Sequence, residues 1–461
     1  MRNWRKAALL PLLRAAGSPI LRELQFIRNI ESWPTPMIEE VQRRRLTALL
    51  QHAWENTDYY FELLGDHGVV REGKVNLDRF EEIPFLTKDI IRHHRNRLRA
   101  KVLPKGVKSY RNSTGGSTGE PIEFWQDTRY WNMNIASKLY RFELFGKHFG
   151  DPELKVWGSS RDLFQGTIGF TAKVKNFLYN RSFLQCFHLP EEGIRRIVDE
   201  INRFKPKIIW AFRDGIDVVA NYINRHGLHV HRPHAVFLGG ATVYPEIVDT
   251  VNRAFGCPVV NFYGSREMGD VACQCERLEG LHIASYARKV EVINSGGRRV
   301  ADADGEIVIT ALNNYAMPFI RYRTGDVGRE AVEPCPCGRG LPTLQSVSGR
   351  IFEVLINARG DRIDPHFFSH LFHSENLGGL RRFQVIQEDY ARLTIKLSLE
   401  PGAAWSQNGQ NGLTEKIQRV MGPECEVAYH VVDDIPLAAS GKHQYIIRNV
   451  GNDLERRDPR G

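Results

Sequence analysis

An unbroken run of small residues between positions 113 and 119 has the composition of a phosphate-binding loop. It consists of Ser113, Thr114, Gly115, Gly116, Ser117, Thr118 and Gly119. Glycines let the backbone approach a ligand closely, while successive N–H groups and hydroxyls can point at an anion. Tyr110 before the run, and Ile122 and Phe124 after it, predict a tight loop that joins two strands. The run lacks the spacing of a Walker loop, which disfavours a P-loop NTPase, and on pattern alone a flexible surface loop is the alternative.

Four further stretches carry residues suited to nucleotide chemistry, and they follow the run in a fixed order. They are Phe262, Tyr263, Gly264, Ser265, Arg266 and Glu267, then 321–326 with Asp326 at its end, then 348–350, and last 440–442. Together with the run at 113–119, this series resembles the AMP-forming adenylate ligases, the superfamily of acyl-CoA synthetases, nonribosomal adenylation domains and luciferases. It is most similar to the phenylacetate–CoA ligase branch, which includes CapK-like relatives from capsular polysaccharide clusters. Each motif is short, but five in this order make a specific signal.

The resemblance implies a role for each motif in joining a carboxylate to the α-phosphate of ATP. Two anions must meet and pyrophosphate must leave, so catalysis is mainly positioning and electrostatic stabilisation. By resemblance, residues 113–119 bind the β- and γ-phosphates, Glu267 binds Mg²⁺, and Asp326 accepts hydrogen bonds from the ribose hydroxyls. Adenine would be bound by Tyr263, within 262–265, and by the turn of Gly240 and Ala241. Arg350 would orient ribose or phosphate, and Lys442 would contact the α-phosphate and the acyl oxygen.

Each of these residues also has a plainer interpretation, and three positions depart from the family pattern. The two acids suit surface or capping positions, the tyrosine suits a core, the arginine suits a surface ion pair, and Ser-Gly-Lys also occurs in plain turns. The departures are Glu120 where lysine is common, Arg266 where threonine is usual, and Phe352 with Glu353 where two aspartates are expected. They change the charge near the phosphates and the segment that acts as a hinge in the family. The sequence therefore indicates a divergent subgroup.

Seven cysteines add a second candidate site. Four of them form two Cys-x-Cys pairs, Cys273 with Cys275 and Cys335 with Cys337, and His282 follows the first pair. Thiolates and an imidazole suit tetrahedral Zn²⁺, and four protein ligands leave no position open, so such a zinc would be structural. Comparison with the phenylacetate ligase branch favours the set Cys275, His282, Cys335 and Cys337. The alternatives are disulfides, which are disfavoured without a secretory signal, and reduced core cysteines.

The charge balance favours anionic partners. The chain has 461 residues, a formal charge of +9, 42% hydrophobic and 25% charged residues, as in a soluble protein of more than one domain. Lysine and arginine are scattered along the chain, so nucleic acid is the weaker interpretation of the anionic partner.

Residues 1–28 alternate basic and apolar positions, and their apolar run Ala7–Leu13 is too short to cross a bilayer. This segment predicts either an amphipathic helix on an anionic membrane surface or a helix packed on its own domain.

Hydrophobic periodicity predicts an α/β fold. Helical spacing predicts helices over Met37–Thr57, Trp131–Phe145, Gly193–Arg203, Gly215–Arg225 and Leu413–Met421. Short apolar runs predict strands at Val156–Gly158, Ile208–Phe212, Ala235–Leu238, Val259–Tyr263, Val290–Ile293, Glu306–Thr310, Phe319–Tyr322, Phe383–Ile386, 393–399 and Val427–Val432. We expect a large N-terminal α/β adenylate-forming domain, 1–350, with the nucleotide, acid and zinc sites, and a small mobile α+β domain, 351–461, that carries Lys442. The charged tail from Asn452 is predicted to be disordered.

The function implied by the resemblance is activation of a carboxylic acid by ATP and Mg²⁺ as an acyl-adenylate, with pyrophosphate release, and transfer to a thiol, CoA by family default. The alternatives are an amide ligase that modifies a sugar or polysaccharide carboxylate, and a degenerate nucleotide-binding protein. Trp157, Phe164, Trp210 and Phe212 are candidate walls for an aryl acid, or else core residues. The expected location is the cytoplasm, with peripheral contact at the membrane through residues 1–28 as an option, and a homodimer is one option for the assembly.

Overall fold

The computed structural model describes residues 3–114, 122–157, 170–186, 189–350, 355–363, 367–368, 371–372, 379–400, 402–403, 405, 407–436 and 443–450. These residues fall into two compact units. The first comprises Met1–Val243, Asp249–Thr324 and Gly328–Val347, and the second comprises Tyr244–Val248, Gly325–Val327 and Ser348–Gly461. None of the helices in the described part of the chain combines the length and apolar character needed to span a bilayer.

Helices dominate the first hundred residues. They are α1 Trp4–Ala15, α2 Pro19–Ile30, α3 Thr35–Asn56, α4 Asp58–Asp66, a 3-10 helix Leu77–Glu82 and α5 Lys88–Leu98, with a small antiparallel pair β1 Val70–Arg71 and β2 Lys74–Val75. The hydroxyl of Thr57 accepts the Tyr60 N–H and so caps α4. Helix α2 buries Leu24, Ile27 and Ile30, at helical spacing, whereas none of the residues described in α1 is buried. Helix α2 therefore packs on its own domain, one of the two alternatives predicted for this segment.

A mixed sheet forms the centre of the first unit. Its strands are β5 Glu153–Val156, β6 Arg181–Leu184, β7 Ile208–Phe212, β8 Ala235–Gly239, β9 Val259–Ser265, β10 Gly269–Cys273, β11 Leu281–Ile283, β12 Arg288–Ile293, β13 Gly305–Ala311, β14 Tyr322–Glu330 and β15 Thr343–Arg350. In the described residues their order in the sheet is β12-β13-β14-β15-β11-β10-β9-β8-β7-β5-β6. From β6 to β9 the neighbours are parallel, and β10 joins antiparallel to β9. Strands β7 and β8 are buried at every position, as expected for parallel strands covered on both faces.

Helices alternate with the parallel strands. They are α6 Thr128–Leu144, α7 Phe170–Tyr179, α8 Glu191–Phe204, α9 Arg213–His226 and α10 Pro245–Phe255. Helix α8 buries Ile194, Ile197, Val198 and Ile201, the spacing of one helix face. Preceding α6, strands β3 Ser109–Ser113 and β4 Glu123–Asp127 form an antiparallel hairpin. Asp127 caps α6, because its Oδ1 accepts the N–H groups of Arg129 and Tyr130.

The second unit is a smaller α+β domain. Its elements are β16 Leu355–Ile356, β17 Arg362–Ile363, β18 Leu380–Asp389, β19 Arg392–Leu399, α11 Gln407–Met421, β20 Glu426–Val431 and β21 Ile446–Arg448. The main sheet has the order β20-β19-β18-β21, in which β18 and β19 are antiparallel and the two outer strands join in parallel. Leu393, Ile395 and Leu397 alternate on its buried face, as the sequence predicts.

The predicted elements agree with these bounds with two exceptions. The strand predicted at Phe319–Tyr322 is wrong, because β14 begins at Tyr322, where the prediction ends. Phe319 and Ile320 are fully buried in the core although they lie outside any strand. Arg321 then has a φ of 50°, outside the extended region, which separates the apolar run from the strand. Apolarity in this segment thus reflects burial rather than strand pairing. The strand predicted at Val156–Gly158 shares only Val156 with the observed strand Glu153–Val156, and Gly158 lies outside the described residues.

Candidate active site and metal centre

The predicted phosphate loop is flanked by the two strands that the sequence indicates. Ser113, the last residue of β3, pairs with Glu123, the first residue of β4. At the neck of the hairpin the Thr114 N–H donates to the Ile122 carbonyl at 3.0 Å, and the Ile122 N–H donates to Thr114 Oγ1 at 3.0 Å. The neck thus brings the two ends of the loop together. Gly115, Gly116, Ser117, Thr118 and Gly119, together with Glu120, lie outside the described residues.

Glu267 lies on a tight turn between β9 and β10. Gly264 pairs with Asp270 and Ser265 pairs with Gly269 across this turn. The Ser265 hydroxyl accepts the Met268 N–H at 3.1 Å, so this predicted nucleotide-binding residue helps to fix the turn. A Cβ atom on Gly264 would lie 2.4 Å from the Gly269 carbonyl oxygen, closer than atoms can approach. The glycine of this motif is therefore required by the close approach of two backbones.

Two buried side chains hold the Glu267 turn against the strand that leaves the phosphate loop. Gln126 of β4 donates from Nε2 to the carbonyls of Arg266 and Glu267, at 2.8 and 3.4 Å. The Tyr130 hydroxyl lies 3.4 and 3.3 Å from the same two oxygens. The Glu267 side chain is in turn within 3.4 Å of the Tyr322 hydroxyl, which donates to its Oε1. The candidate Mg²⁺ ligand and the strand from the phosphate loop are therefore fixed to each other.

A fully buried arginine, which sequence reasoning missed, supports the same turn. Arg288 donates from Nε to the Met268 carbonyl at 2.5 Å, from Nη2 to Asn134 Oδ1 at 2.9 Å and from Nη1 to Asn313 Oδ1 at 2.5 Å. Burial lowers the pKa of Arg288, and the partial compensation comes from Tyr130 and Asp270. All three hydrogen-bond acceptors named here are neutral. In the sequence Arg288 precedes an apolar run and carries no sign of its burial.

The predicted adenine wall lies where β8 and β9 end side by side. Leu238 pairs with Asn261, so the parallel register brings Gly240 level with Tyr263. Gly240 has a φ of 88°, and a Cβ atom there would lie 2.4 Å from the Phe212 ring, so only glycine fits this turn. Ala241 follows it in the loop. Phe262 and Tyr263 point to opposite faces, because neighbouring side chains alternate along a strand.

Three further residues of the predicted site are Asp326, Arg350 and Lys442. Asp326 is half-buried in β14 and belongs to the stretch Gly325–Val327 that groups with the second unit. Arg350 ends β15, and only its backbone is described. Lys442, like Phe352 and Glu353, lies outside the described residues. Their roles stay predictions.

Aromatic rings collect at the carboxyl ends of β5 and β7. The Trp157 ring lies 5.1 Å from Trp210 and 5.6 Å from Phe212, and Phe262 lies 6.4 Å from Trp210, centroid to centroid. Ligands of open α/β sheets bind at the carboxyl ends of parallel strands, so this cluster lies where an acid substrate is expected. Phe164, the fourth predicted wall residue, lies outside the described residues.

The structure brings together the four residues of the predicted metal set. One ligand atom from each of Cys275, His282, Cys335 and Cys337 lies within 4.8 Å of all the others. The Cys275 and Cys335 sulfurs are 3.7 Å apart, and Cys337 Sγ is 3.5 Å from His282 Nε2. Zinc bonds of about 2.3 Å to sulfur and 2.0 to 2.1 Å to nitrogen give separations of roughly 3.8 and 3.5 Å in a tetrahedron. The donor atoms therefore fit a tetrahedral zinc ion.

Backbone and charged groups surround this cluster. The Arg277 and Arg339 N–H groups point at the sulfurs of Cys275 and Cys337, at 3.4 and 3.5 Å. Burial raises the pKa of the Cys275 thiol to about 12. Burial alone would also raise the pKa of Cys337, but hydrogen bonds from the backbone and side chain of Arg339 outweigh it and lower that pKa. The surroundings of Cys337 thus favour its thiolate, the form that binds a metal ion.

Cys273 does not join the cluster. It pairs with His282 across the β10–β11 ladder, but its Sγ donates to the Gln274 carbonyl at 3.4 Å, and its side chain packs in the apolar cluster with Phe142 and Trp210.

Arg339, two residues after Cys337, connects the Cys/His cluster to other elements. It binds Glu276 at 2.8 Å and lies 3.7 Å from the buried Glu31 at the end of α2. The Cys/His cluster is therefore connected to the N-terminal helices, a link that sequence spacing could not reveal.

Comparison with known proteins finds relatives over most of the chain. Residues 355–449 match the family model of the CapK C-terminal domain. Protein CapK of Staphylococcus aureus is 22% identical over 426 residues, which cover 89% of each sequence. Phenylacetate-coenzyme A ligase of Thermus thermophilus is 26% identical over 351 residues, 73% of this chain and 75% of that protein. The crystal structure of 2-hydroxyisobutyryl-CoA ligase in the postadenylation state is similar with a TM-score of 0.74, at 20% identity and with 92% of both chains covered. The chain is therefore a homologue of CapK and of the phenylacetate-coenzyme A ligases, and its mixed α/β fold with a smaller C-terminal α+β domain is that of the AMP-forming acyl-CoA ligases.

Proposed function

We propose that the protein activates a carboxylic acid with ATP as an acyl-adenylate, releases pyrophosphate and transfers the acyl group to a thiol, CoA by family default. The observation that carries this proposal is the attachment of the Glu267 turn to β4 through Gln126. It fixes the candidate Mg²⁺ ligand relative to β4, the strand that leaves the candidate phosphate loop. Preorganised charge and position are the main sources of catalysis in such a transfer. The relatives named as coenzyme A ligases support the same chemistry.

The chemistry assigns a separate task to each group. MgATP supplies the α-phosphorus at which the carboxylate attacks, and the loop 113–119 holds the β- and γ-phosphates that leave as pyrophosphate. Glu267 offers a carboxylate oxygen to Mg²⁺, and the Tyr322 hydroxyl orients that carboxylate. The turn at Gly240 and the ring of Tyr263 bind adenine. Lys442 and Arg350 neutralise charge at the α-phosphate and ribose, and Asp326 binds the ribose hydroxyls.

ATP–pyrophosphate exchange with a panel of acids tests this proposal. The panel includes aryl, fatty, amino and uronic acids, and the wild type is compared with Lys442→Ala and with Lys105→Ala as a surface control. Exchange that depends on one acid class and falls at least about 100-fold in Lys442→Ala alone would agree with the proposal, since electrostatic groups of this kind contribute about 3 to 4 kcal/mol. MgATP binding without exchange for any acid would instead identify a nucleotide-binding protein.

The CapK branch brings a second candidate acceptor. The match to the CapK C-terminal domain covers residues 355–449, most of the second unit. By the family resemblance, this domain presents a face to the acceptor in the second half-reaction. An amine acceptor, with amide formation at a sugar or polysaccharide carboxylate, is therefore the alternative to CoA. The rate at which AMP is released from the preformed acyl-adenylate, measured with each acceptor, distinguishes CoA from an amine. Acceleration by CoA with formation of a thioester supports the first, and acceleration by an amine with formation of an amide supports the second.

We further propose that the Cys/His cluster holds a structural zinc ion. Four protein ligands would fill its tetrahedral coordination, so the ion would hold the segment after Glu267 to the segment that contains Cys335 and Cys337, without contact to substrate. Metal analysis of protein purified without added zinc should find close to one zinc per chain. Zinc well below one equivalent, with the fold intact, would contradict this proposal.

Contact with a membrane surface is a separate proposal that concerns α1 and α7. Trp4 is 49% and Phe177 61% exposed, and the Arg5 guanidinium lies 4.7 and 4.9 Å from the centroids of their rings. Exposed aromatic groups beside arginine suit the interface of an anionic bilayer. Sedimentation with phosphatidylglycerol vesicles should be lost in a Trp4→Ser, Phe177→Ser double variant. Binding that is unchanged in this variant would contradict the proposal. Analytical ultracentrifugation of the protein without vesicles tests whether it forms a homodimer, one option for the assembly.

A further inference from the structure

A cavity of about 500 Å³ lies between α1, α2 and the end of α6. Its size falls within the range of about 300 to 1,000 Å³ that is usual for small-molecule sites. The residues that line it come from 6–28 and 139–149, and the structure describes both stretches without a gap. Among the described residues of the proposed reaction site, none lines this cavity. It is therefore a candidate site separate from the proposed reaction site.

Apolar side chains from all three helices line the cavity. They are Leu10 of α1, Leu21 and Leu24 of α2, and Leu139 of α6. Leu24 is buried and the other three are half-buried, so each of these three leaves part of its surface exposed. A hydrocarbon chain that lay against them would remove this surface from water, which is favourable. The walls of the cavity thus suit the apolar part of a ligand.

One end of the cavity carries two arginines. Arg14 lies in the last turn of α1 and Arg22 in the first turn of α2, so they flank the connection 16–18, and both line the cavity. Among the described residues, neither guanidinium has a hydrogen-bond or ion-pair partner. Ser18 also lines the cavity between them, and its hydroxyl makes no capping hydrogen bond to α2. This end therefore offers two guanidinium groups and a hydroxyl to an anion.

Acidic side chains do not neutralise the two arginines. Glu143 is the one acid among the described residues that line the cavity, and it pairs with Arg28 at 2.6 Å. Glu23 follows the second arginine in the chain, but it does not line the cavity and its charge acts on Arg45. The positive charge at this end is thus complementary to an anionic ligand.

We propose that this cavity binds one anionic phospholipid, with its phosphate between Arg14 and Arg22 and an acyl chain along the leucine side chains. The inference goes beyond the proposed function and uses none of its residues. A planar guanidinium can donate two parallel hydrogen bonds to a phosphate, which makes arginine well suited to this group. A bilayer is the source of the lipid, because Trp4 and Leu12 of the same helix α1 are 49% and 65% exposed and suit a membrane interface.

Short-chain lipids that stay monomeric in solution test this proposal without a membrane surface. Isothermal titration calorimetry with dihexanoylphosphatidylglycerol, below its critical micelle concentration, should show one site per chain. Dihexanoylglycerol has the same acyl chains without the phosphate and should bind at least about tenfold more weakly. Glycerol 3-phosphate has the phosphate without the chains and should also bind at least about tenfold more weakly.

A double variant, Arg14→Gln with Arg22→Gln, tests the phosphate contact. It should weaken binding of dihexanoylphosphatidylglycerol at least about tenfold and change binding of dihexanoylglycerol less than about twofold, because only the charged donors are removed. Arg43→Gln with Arg44→Gln is the matched control, since it removes two exposed arginines from α3, outside the cavity. This control should bind both lipids as the wild type does.

Four results would overturn the proposal. They are equal affinity of the wild type for dihexanoylphosphatidylglycerol and dihexanoylglycerol, equal affinity for the phospholipid and glycerol 3-phosphate, unchanged binding in the Arg14 and Arg22 double variant, and an equal loss in the α3 control.

A further variant separates the cavity from the aromatic surface of α1 and α7. Trp4→Ser with Phe177→Ser should bind the monomeric phospholipid as the wild type does, because neither ring lines the cavity. Loss of this binding in the aromatic variant but not in the Arg14 and Arg22 double variant would place the lipid on the aromatic surface and contradict the cavity site.

Discussion

Replacement of Glu153 by glutamine tests how strongly a buried ion cluster stabilises the parallel sheet. Glu153 begins β5, two residues before Lys155, and its carboxylate binds Lys147 at 2.9 Å and Arg181 at 2.8 Å. The side chains of Glu153 and Lys147 are only 1% and 3% exposed. Burial alone would raise the pKa of Glu153, but the two cations outweigh it and lower this pKa to about 2, from an ordinary value of 4.5.

The magnitude follows from this difference. At about 1.4 kcal/mol per pH unit, a pKa of about 2 instead of 4.5 corresponds to about 3 kcal/mol of stability at pH 7. Glu153→Gln should therefore lower the free energy of unfolding by about 3 to 5 kcal/mol, since it also leaves the Lys147 charge buried without its partner. Because the folded pKa is depressed, this contribution is fully present above the ordinary pKa and is lost as the pH falls through the folded value. The gap between wild type and variant should thus narrow by about 1 kcal/mol between pH 7 and pH 4.

Urea unfolding at both pH values measures this gap. Glu40→Gln is the control, because Glu40 pairs with Arg44 at 2.7 Å on the surface of α3, with side chains 51% and 77% exposed. An exposed pair contributes about 0 to 1 kcal/mol, so this variant should unfold nearly as the wild type does. The electrostatic reasoning would be refuted if Glu153→Gln lowered the free energy of unfolding by less than about 1 kcal/mol at pH 7. It would also be refuted if the difference in this free energy between wild type and variant were larger at pH 4 than at pH 7.

Three further predictions concern the candidate sites. Gly264→Ala should abolish ATP–pyrophosphate exchange and lower the melting temperature, because its Cβ atom would lie 2.4 Å from the Gly269 carbonyl oxygen; normal melting and activity would contradict the required close approach. Gln126→Leu should raise the KM for MgATP about tenfold or more through loss of the hydrogen bonds to the Glu267 turn, and an unchanged KM would show that the turn does not need this support. Cys335→Ser should reduce bound zinc to well below one equivalent in metal analysis, whereas Cys273→Ser should retain it, and equal zinc in both variants would exclude the proposed ligand set.

The family and most of the fold were accessible from the sequence because they depend on local patterns. The buried runs Ile208–Phe212 and Ala235–Leu238 are apolar at every position, and the structure confirms both strands. The order of the five motifs predicted the relationship that the comparisons confirm. The cysteine and histidine types indicated a metal site, and the resemblance to the phenylacetate ligase branch selected Cys275, His282, Cys335 and Cys337 as its ligand set.

The parts that escaped prediction depend on contacts between distant positions. Arg288 and Asn134 support the Glu267 turn from elements far away in the chain, and a buried arginine looks like any other in sequence. Phe319 and Ile320 have the apolarity of a strand, yet they are buried without strand pairing. Convergence of Lys138 and Lys155 on one ring depends on the register of β5 with β7 and on the rotation of α6. Neither the strand register nor the rotation of the helix produces a periodic pattern in the sequence.

Transfer of carboxylate oxygen to AMP tests the central claim most directly. The acid identified by exchange is labelled with ¹⁸O in both carboxylate oxygens and turned over with MgATP and the acceptor, and the AMP is analysed by mass spectrometry. An acyl-adenylate is formed when a carboxylate oxygen bonds to the α-phosphorus, and acceptor attack at the acyl carbon then leaves that oxygen on AMP. The proposed function predicts one ¹⁸O atom in each AMP and none in pyrophosphate. Unlabelled AMP, or ADP and phosphate as the products, would contradict activation through an acyl-adenylate.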